Sequence, residues 1–393
     1  MTWLPVALDA EVGTRPVAVV AGGVPLVVLR PAEGAAPIAF ADRCPHRLVP
    51  LSAATLLEGG RLQCAYHGWE FDSSGACVGL PSQEGAAPPR ASLPAGPPLR
   101  LDGDTLYADI SDIAADPDDL LTNLDPALRH AWHPVALTSE LPCTVTLLGE
   151  TYVVGEKVDP EPWGVQERWG LIWIAPDQPK TELFPDPEAD NAAYVGAWLP
   201  PVRSPASAGV VADNFLDVAH FPFVHAKTFG AAEEKLVPRY EVTVEPDGCR
   251  SVQEQWFDNP EDPAVATGER PLRQRRRATY VYRAPFQLLL RLEELDAGAV
   301  KTILFFSQPE SLYSTRIYTK MLLHGIGGVA DPGPAAVASE VAFEESVLAE
   351  DLELQRAMRL PGLPLTMRDE LHVRADLLGV TLRRTLADFV GRP

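Results

Sequence analysis

Cys44-Pro45-His46-Arg47 indicates the fold of the first part of the chain together with a second stretch, Cys64-Ala65-Tyr66-His67-Gly68-Trp69. Seventeen residues lie between His46 and Cys64. The two stretches have the form Cys-x-His and Cys-x-x-His, so each half offers one thiolate and one imidazole. A [2Fe-2S] centre with two Cys on one iron and two His on the other needs this donor set. Zn²⁺ takes the same four donors tetrahedrally and is the alternative.

The distribution of the four donors favours iron–sulfur over zinc. A zinc finger more usually pairs its cysteines as Cys-x-x-Cys and groups its histidines, whereas each half here holds one of each. The block also resembles the ligand block of Rieske proteins beyond its ligands, in Cys-Pro-His-Arg, in Tyr-His-Gly-Trp and in the following Phe71-Asp72. We therefore predict a Rieske [2Fe-2S] cluster on Cys44, His46, Cys64 and His67, and an electron-transfer role.

Composition excludes several classes of protein. The 393 residues suffice for two or three domains, and 46% hydrophobic with 22% charged residues is ordinary for a globular protein. A net charge of −21 argues against a nucleic-acid partner, which requires clustered Lys and Arg. The basic run Arg273–Arg277 is read as a solvated strand edge, or else as a docking patch for an acidic electron donor.

The remaining cysteines and the apolar runs give no sign of secretion or of a membrane. Five cysteines do not suggest a disulfide framework, and Cys77, Cys143 and Cys249 are expected to be ordinary thiols. The N-terminus lacks the basic segment of a secretory signal, and no apolar run reaches the ~18 residues of a membrane-spanning helix. We predict a cytoplasmic protein with no membrane partner.

The pattern of strands and turns divides the chain into four parts. Residues 1–112 show short strands with Gly and Pro turns and form the predicted β domain around the cluster, and residues 113–128 are the linker. Residues 184–393 form a second domain, with strand-like runs at 239–257, 277–294 and 299–323, a helix near 333–359 and another near 365–388. We predict an α+β protein whose C-terminal antiparallel sheet is packed against long helices.

The remaining part, residues 129–183, repeats the start of the chain. Trp3-Leu4-Pro5-Val6-Ala7-Leu8-Asp9-Ala10-Glu11-Val12 recurs as Trp132-His133-Pro134-Val135-Ala136-Leu137-Thr138-Ser139-Glu140-Leu141, with six of ten positions identical. A strand–Gly–strand pattern follows each copy, around Gly22 and Gly149. No Cys-x-His or Cys-x-x-His occurs in the second copy. We interpret it as a degenerate Rieske-like frame without a metal site; the alternative is a chance similarity.

A second metal site is indicated by the stretch from Asp213 to His225. Asp217 and His220 are three residues apart and would share a helix face. His220 and His225 are five apart, and Pro222 would break the helix so that both imidazoles converge on one ion. Two His and one carboxylate form the facial triad of non-haem Fe(II) oxygenases, which leaves positions open for O₂ and substrate.

The third ligand of this site is sought on the helix near 333–359. The helical neighbours of Asp351 are apolar (Val347, Leu348 and Leu352), so Asp351 lies on the inward face, where a carboxylate needs a partner. We predict Asp351 as the ligand, with Glu350 as the second choice and Glu344 or Glu345 as the third.

Taken together, these motifs resemble the oxygenase (alpha) component of the Rieske non-haem iron family, the aromatic-ring-hydroxylating dioxygenases and monooxygenases. The resemblance covers most of the chain and includes the Asn214-x-x-Asp217-x-x-His220-x-x-x-x-His225 motif and the Glu350-Asp351 phrase. It implies a helix-grip (START-like) catalytic domain around an apolar pocket and a head-to-tail homotrimer. Electrons then pass from the cluster to the iron of a neighbouring subunit through a bridging Asp, which Asp217 matches, while Asn214 matches a polar residue near the iron.

The implied activity is O₂-dependent oxidation of an apolar or aromatic small molecule by hydroxylation, demethylation or a related reaction, with secondary metabolism as one setting in which it would occur. No Rossmann-type fingerprint occurs, so electrons from NAD(P)H are expected through a separate ferredoxin or flavin reductase. An oxidative cyclase or amine oxygenase of the same family is an alternative, as are a non-catalytic redox or ligand-binding protein and a zinc-stabilised one. Leu48 and Val49 depart from the Gly-Ala that commonly follows Cys-x-His-Arg, and Ala65 from a common Pro, without removing a ligand.

Overall fold

The N-terminal domain is built from short antiparallel strands. The structure, a computed structural model, describes residues 1–185, 188–229, 234–259 and 262–392. The strands of this domain are β1 (Trp3–Leu8), β2 (Val17–Ala21), β3 (Val24–Leu29), β4 (Ile38–Ala41), β5 (Thr55–Leu57), β6 (Arg61–Gln63), β7 (Glu70–Phe71), β8 (Cys77–Gly79), β9 (Leu99–Asp102) and β10 (Thr105–Asp109). They form three sheets, ordered β1-β10-β9, β2-β3-β4 and β5-β6-β7-β8. The last sheet, here called the finger sheet, carries Cys64 and His67 on the turn between β6 and β7.

The segment at 129–183 contains six further strands. They are β12 (His133–Leu137), β13 (Cys143–Leu147), β14 (Glu150–Val154), β15 (Val158–Asp159), β16 (Gly164–Arg168) and β17 (Leu171–Ala175). They form two sheets, ordered β12-β17-β16 and β13-β14-β15. Trp173 and Leu171 of β17 are fully buried, and they pack with Phe306 and Tyr318 of the C-terminal domain.

This segment and the N-terminal domain have the same order of strands in two of their sheets. In both copies the first strand has a bulge at the equivalent position of the repeat, between Pro5 and Ala7 and between Pro134 and Ala136. A 3₁₀ turn then follows in both, closed by a glutamate that accepts the backbone N–H of Leu8 or Leu137. The finger sheet has no counterpart among residues 129–183, all of which are described. The division of the chain into these domains stays a prediction, and the common topology supports it.

The C-terminal domain is a large antiparallel sheet covered by helices. Its strands are β18 (Val195–Trp198), β19 (Val202–Ser204), β20 (Thr243–Glu245), β21 (Gly248–Asp258), β22 (Arg273–Arg283), β23 (Gln287–Glu294), β24 (Val300–Ser311) and β25 (Ser314–His324). Its helices are α1 (Ala208–Leu216), α2 (Phe221–Val224), α3 (Pro263–Ala266), α4 (Pro334–Ala357) and α5 (Leu377–Val390). The sheet order is β18-β25-β24-β23-β22-β21-β20, with β19 also paired to β25. The α+β class predicted from the sequence is confirmed.

The two faces of this sheet are covered differently. On one face, Tyr280, Tyr282 and Phe305 form the main core with Leu216 of α1 and Leu382 of α5. The other face packs against the segment at 129–183. The helices that carry the second predicted metal site therefore lie on one face of the sheet, and the segment at 129–183 lies on the other.

The interpretation of Arg273–Arg277 as a strand edge is wrong. The run belongs to β22, which is hydrogen-bonded to β21 on one side and to β23 on the other. Arginines are tolerated there because acids neutralise them across the sheet, as Arg277 donates to Glu254 of β21 at 2.7 Å.

The predicted helix at 365–388 begins only at Leu377. Before it, β26 (Gly362–Pro364) pairs with β11 (Leu120–Thr122), a strand inside the predicted linker. Residues 365–373 form no helix and lead into a 3₁₀ turn at Arg374–Asp376, because this stretch is occupied by contacts to the N-terminal domain, among them the bond from Leu371 N–H to Pro45 O at 2.8 Å. Within the described ranges, no helix is long and apolar enough to cross a membrane.

Candidate metal centres and the contact between them

The two halves of the cluster motif form matching loops. The carbonyl of Cys44 accepts the N–H of Leu48 and the carbonyl of Cys64 accepts that of Gly68, both at 3.0 Å. Leu48 and Gly68 both have positive φ, 54° and 65°. The two loops thus have the same backbone hydrogen bond, although the residue in the left-handed conformation is leucine in the first loop and glycine in the second.

The four predicted cluster ligands converge in a buried site. His46 Nδ1 and His67 Nδ1 are 3.1 Å apart, and the rings are 1% and 2% exposed. A hydrogen bond from Cys44 lowers the pKa of Cys64 to about 7, whereas burial raises that of Cys44. Two adjoining thiols and two imidazoles that direct the same ring nitrogen at one point fit the donor set of a Rieske cluster.

The outward nitrogens of these two imidazoles meet carboxylates of the C-terminal domain. His67 Nε2 lies 2.7 Å from Asp217 Oδ2, and His46 Nε2 lies 3.0 Å from both oxygens of Asp376. Carboxylates at the free nitrogen of a ligand imidazole fix its tautomer and orientation. Asp376 is a residue that sequence reasoning missed, since it lies 330 positions from His46 and no local pattern marks it.

The predicted iron site is formed where α1 ends and α2 begins. Ser207 caps α1 by accepting the N–H of Val210, and the helix ends at Leu216, so Asp217 and His220 do not share a helix face as predicted. The break precedes Pro222, which lies in the first turn of α2 and is tolerated there. The imidazoles of His220 and His225 nevertheless converge, with their Nε2 atoms 3.1 Å apart.

Asp351 of α4 completes this group. Its Oδ1 lies 3.6 Å from His220 Nε2 and 3.4 Å from His225 Nε2. The three donor atoms lie within 4.8 Å of one another, and Asp351 Oδ1 is buried without a hydrogen-bond partner. A divalent cation among the three atoms would satisfy this oxygen, so the donor set fits the 2-His-1-carboxylate triad. Their role as iron ligands stays a prediction.

Glu350, the second choice, faces the outer side of the same site. Its Oε2 lies 3.0 Å from His225 Nδ1 and accepts the hydroxyl of Thr228 at 2.7 Å. Although burial lowers the pKa of His225, Asp351 and Glu350 together hold it above its usual value. Glu350 therefore orients an imidazole, while Asp351 points at the gap between the two. Glu345 is exposed, and burial raises the pKa of Glu344.

Asn214 and Asp217 lie between the two sites. Asn214 donates to the hydroxyl of Tyr66 at 3.1 Å and accepts from Gln355 at 2.7 Å, so it bridges the N-terminal domain and α4. Besides His67, Asp217 has its Oδ1 3.6 Å from His220 Nδ1. Burial opposes ionisation of Asp217, but His67 and His220 hold its pKa well below its usual value. Gln355 was missed, although it follows Asp351 by one helical turn.

Comparison with known proteins identifies two domains in the chain. Residues 2–94 match the Rieske [2Fe-2S] domain, and residues 204–392 match the vanillate O-demethylase oxygenase C-terminal domain. The chain is 23% identical over 362 residues to methylxanthine N1-demethylase NdmA of Pseudomonas putida, covering 90% of this chain and 77% of that protein. It is 36% identical over 134 residues to the oxygenase component of dicamba O-demethylase of Stenotrophomonas maltophilia, covering 32% of this chain and 38% of that protein.

Other similarities are more local or more distant. A match to pheophorbide a oxygenase of Oryza sativa subsp. japonica is 52% identical over 56 residues and spans 14% of this chain and 11% of that protein. Among solved structures, NdmA of Pseudomonas putida CBB5 with caffeine aligns with a TM-score of 0.45 and 23% identity, covering 97% of this chain and 88% of that one. Dicamba monooxygenase bound to dicamba aligns with a TM-score of 0.43 and 18% identity, covering 99% of this chain and 97% of that one. From the two domain matches, the chain belongs to the Rieske-type non-haem iron oxygenases, oxidoreductases whose cofactors are a Rieske [2Fe-2S] cluster and a mononuclear non-haem iron.

Proposed function

We propose that this protein is an oxygenase component that hydroxylates or demethylates an apolar or aromatic small molecule, using electrons that a separate ferredoxin or flavin reductase draws from NAD(P)H. The observation that carries the proposal is the group of His220, His225 and Asp351, with a buried carboxylate oxygen facing two imidazole nitrogens. An iron held by three residues supplies open positions for O₂ and substrate.

The reaction balances with a two-electron donor. In a hydroxylation, one atom of O₂ enters a C–H bond and the other leaves as water, with two electrons and two protons consumed. In a demethylation, the same reaction at a methyl group on oxygen or nitrogen gives a hemiacetal or hemiaminal, which releases formaldehyde. The electrons come from NAD(P)H, one at a time, through the partner reductase.

Residues of this chain hold the imidazoles and surround them with apolar rings. Glu350 accepts from His225 Nδ1, and Asp217 lies beside His220 Nδ1. The ring of Phe229 is stacked on His225 at 4.9 Å, and that of Phe221 lies 4.9 Å from His220. An apolar or aromatic substrate fits such surroundings better than a charged one.

Demethylation is the reaction to test first. The matched C-terminal family and two relatives bear the names of demethylases that act on methyl ethers or on N-methylated xanthines. The cytoplasmic location, a role in secondary metabolism and the homotrimer implied by the family resemblance stay predictions.

The test is oxygen uptake by the reconstituted holoprotein with a surrogate ferredoxin and reductase, against a panel of O-methyl and N-methyl aromatic compounds. We expect formaldehyde and demethylated product in equal amounts for at least one compound. Asp351→Ala should abolish product formation, and Glu345→Ala, which alters an exposed acid on the same helix, should leave it unchanged. NAD(P)H and O₂ consumption without any oxidised product across the panel would contradict the proposal.

A further inference from the structure

We propose that Glu344 binds the substrate, its carboxylate accepting a hydrogen bond from an N–H or ammonium group. The substrate class is then an aromatic or apolar molecule that carries a basic nitrogen or an N–H group at some distance from the carbon that is oxidised. This rests on the proposed function and narrows its substrate class. The surroundings of the iron site stay apolar, and Glu344 supplies one polar contact further along α4.

Glu344 lies on the face of α4 that carries Asp351. It precedes Asp351 by seven residues, which in an α-helix amounts to two turns, with about 20° of rotation left over and about 10 Å of rise. Both carboxyl groups are therefore on the inward face of the helix. A substituted aromatic ring whose methyl group reaches the iron site is long enough to bring a nitrogen on its opposite side to Glu344.

The charged groups around Glu344 locate its carboxyl group between the iron site and the large sheet. Burial is the largest influence and raises the pKa of Glu344, whereas Lys301 of β24 lowers it. Asp351 raises this pKa further, and His225 lowers it. Asp351 and His225 belong to the iron site and Lys301 belongs to the sheet, so Glu344 lies within electrostatic reach of both.

Glu344 differs from the two acids that flank it on the inward face of α4. Glu340, one turn earlier, contacts Lys301, and Asp351 faces the two imidazoles of the iron site. Glu344 is half-buried and forms no hydrogen bond or ion pair in the ranges that the structure describes. A carboxylate that is removed from water without a partner is costly, and a bound N–H or ammonium group would satisfy it.

The space beside Glu344 has apolar walls. Leu290 and Leu292 of β23 are only half-buried, although this strand is paired with β22 on one side and β24 on the other. Leu290 is paired with Tyr280, whose ring belongs to the main core with α1 and α5, so both leucines point towards the helices. Leu292 is also the neighbour of Lys301 across the sheet, which puts this opening next to Glu344. The helices therefore stand off the sheet here and leave room for the apolar part of a ligand.

Arg276 of β22 does not neutralise Glu344, although it lies on the same face of the sheet as Tyr280. Its guanidinium carbon is 4.6 Å from the ring centre of Phe257, and its Nε is buried without a hydrogen-bond partner. Across the sheet it is paired with Glu294 of β23. Among the residues whose structure is described, no ion pair joins Arg276 to Glu344. The positive charge or N–H group that Glu344 lacks therefore has to come from the ligand.

The test compares methoxybenzene derivatives of similar size that differ in charge: 4-methoxybenzylamine, which is cationic at neutral pH, the neutral 4-ethylanisole and the anionic 4-methoxyphenylacetate. Their dissociation constants for the holoprotein are measured by calorimetry without O₂, so that binding is separated from turnover. Glu344→Gln keeps the shape of the side chain and removes its charge, and Glu344→Leu takes its place if that variant does not fold. Glu345→Gln is the matched control, because it removes the charge of the neighbouring, exposed acid.

We expect the wild type and Glu345→Gln to bind the amine at least ~10-fold more tightly than the neutral compound, as one charge-assisted hydrogen bond allows, and to bind the anion most weakly. In Glu344→Gln the ratio of the amine affinity to the neutral affinity should fall to about one, with an unchanged iron content. A purely structural role of Glu344 would weaken the binding of all these compounds alike and leave the ratio as it is, which would overturn the assignment.

Turnover of the same compounds separates this inference from the proposed function. Formaldehyde formed from the neutral compound, with no preference for the amine in binding, would overturn the role of Glu344 and leave the proposed function standing. If neither these compounds nor the wider panel of methyl compounds gave any oxidised product, the proposed function would fail, and the role of Glu344 as a substrate-binding residue would fail with it.

Discussion

Each histidine at the two centres uses its two ring nitrogens differently. His46 and His67 turn Nδ1 towards each other and Nε2 towards a carboxylate. His220 and His225 do the reverse, with Nε2 inward and Nδ1 beside a carboxylate. A carboxylate on the far nitrogen makes an imidazole a better metal ligand. The acids next to the sites therefore divide into one inward candidate ligand, Asp351, and several that orient imidazoles.

This division predicts different results for two adjacent acids. Asp351→Ala should remove the mononuclear iron, because it deletes a ligand, and should leave the cluster spectrum unchanged. Glu350→Ala should only weaken iron binding, by about 10–100-fold, since it removes the partner of His225 Nδ1. Iron titration of the metal-free proteins checks both, with Glu345→Ala as the control. Complete iron loss in Glu350→Ala with retention in Asp351→Ala would reverse the assignment.

Asp217 should couple the centres without holding either metal. Asp217→Asn keeps the shape of the side chain but loses the charge that supports its imidazole partners. Both metals should stay bound, and turnover should fall by at least ~10-fold. In single-turnover mixing with O₂ and substrate, the cluster should stay reduced. Its oxidation at the wild-type rate would show that electrons take another route.

Leu48 is a strained residue beside the cluster. Its φ of 54° is the left-handed conformation, which costs roughly 1–2 kcal/mol for a residue with a Cβ, and the matching position in the other loop is Gly68. We expect Leu48→Gly to be neutral or to stabilise the protein by up to about 1 kcal/mol, with an unchanged cluster spectrum. Thermal unfolding measures the effect. A marked loss of stability would mean that the leucine side chain packs more favourably than its backbone is strained.

At the scale of elements, short motifs were predicted better than the contacts between them. The Cys and His spacings and the inward face of α4 identified residues that the fold brings together. Asp376 and Gln355 could not be found in this way, because their roles depend on contacts to His46 and Asn214, which lie 330 and 141 positions away. The predicted start of the last helix failed for the same reason, since residues 365–373 are held by the Rieske domain rather than by their own helical propensity.

The segment at 129–183 should contribute stability and no metal. We propose that it is a duplicated Rieske frame without its finger sheet, because it repeats two sheets, a bulge and a capped turn of the N-terminal domain. Its Trp173 is fully buried, with its ring 4.9 Å from that of Phe306 on the large sheet. Trp173→Ala should cost about 3–5 kcal/mol, seen as a lower midpoint of thermal unfolding.

The metal content of this variant is its second readout. Iron and sulfide per folded chain should equal those of the wild type, because neither predicted site draws a ligand from this segment. A loss of iron or of sulfide from protein that remains folded would contradict a purely structural role.

At the scale of the whole molecule, the contact between the Rieske domain and the C-terminal domain should make stability depend on pH. Burial raises the pKa of Asp213, but Arg383 and Arg47 outweigh it and hold the pKa below its usual value; Asp217 and Asp376 are lowered as well. In the unfolded chain these acids titrate near pH ~4. Below that pH the unfolded state binds more protons, so the stabilisation is fully present above pH ~4 and is lost as pH falls further. Glu370, whose pKa burial raises, acts in the opposite direction.

Asp213→Asn isolates the contribution of the central acid. At neutral pH it should destabilise the holoprotein by about 3–5 kcal/mol, because it leaves two buried arginines with one fewer acid. Below pH ~4 the penalty should shrink, since Asp213 of the unfolded wild-type chain then takes up a proton that the folded state binds only at lower pH. Asp388→Asn, an exposed acid on α5, is the matched control and should change stability by no more than ~0.5 kcal/mol. Urea unfolding at pH 7, 5 and 3.5 gives the comparison. Asp213 contacts Arg47 at 3.4 Å and Arg383 at 2.6 Å. If the penalty at pH 3.5 equals that at pH 7, the charge of Asp213 is not what holds these two arginines, and the buried acids do not account for the pH dependence.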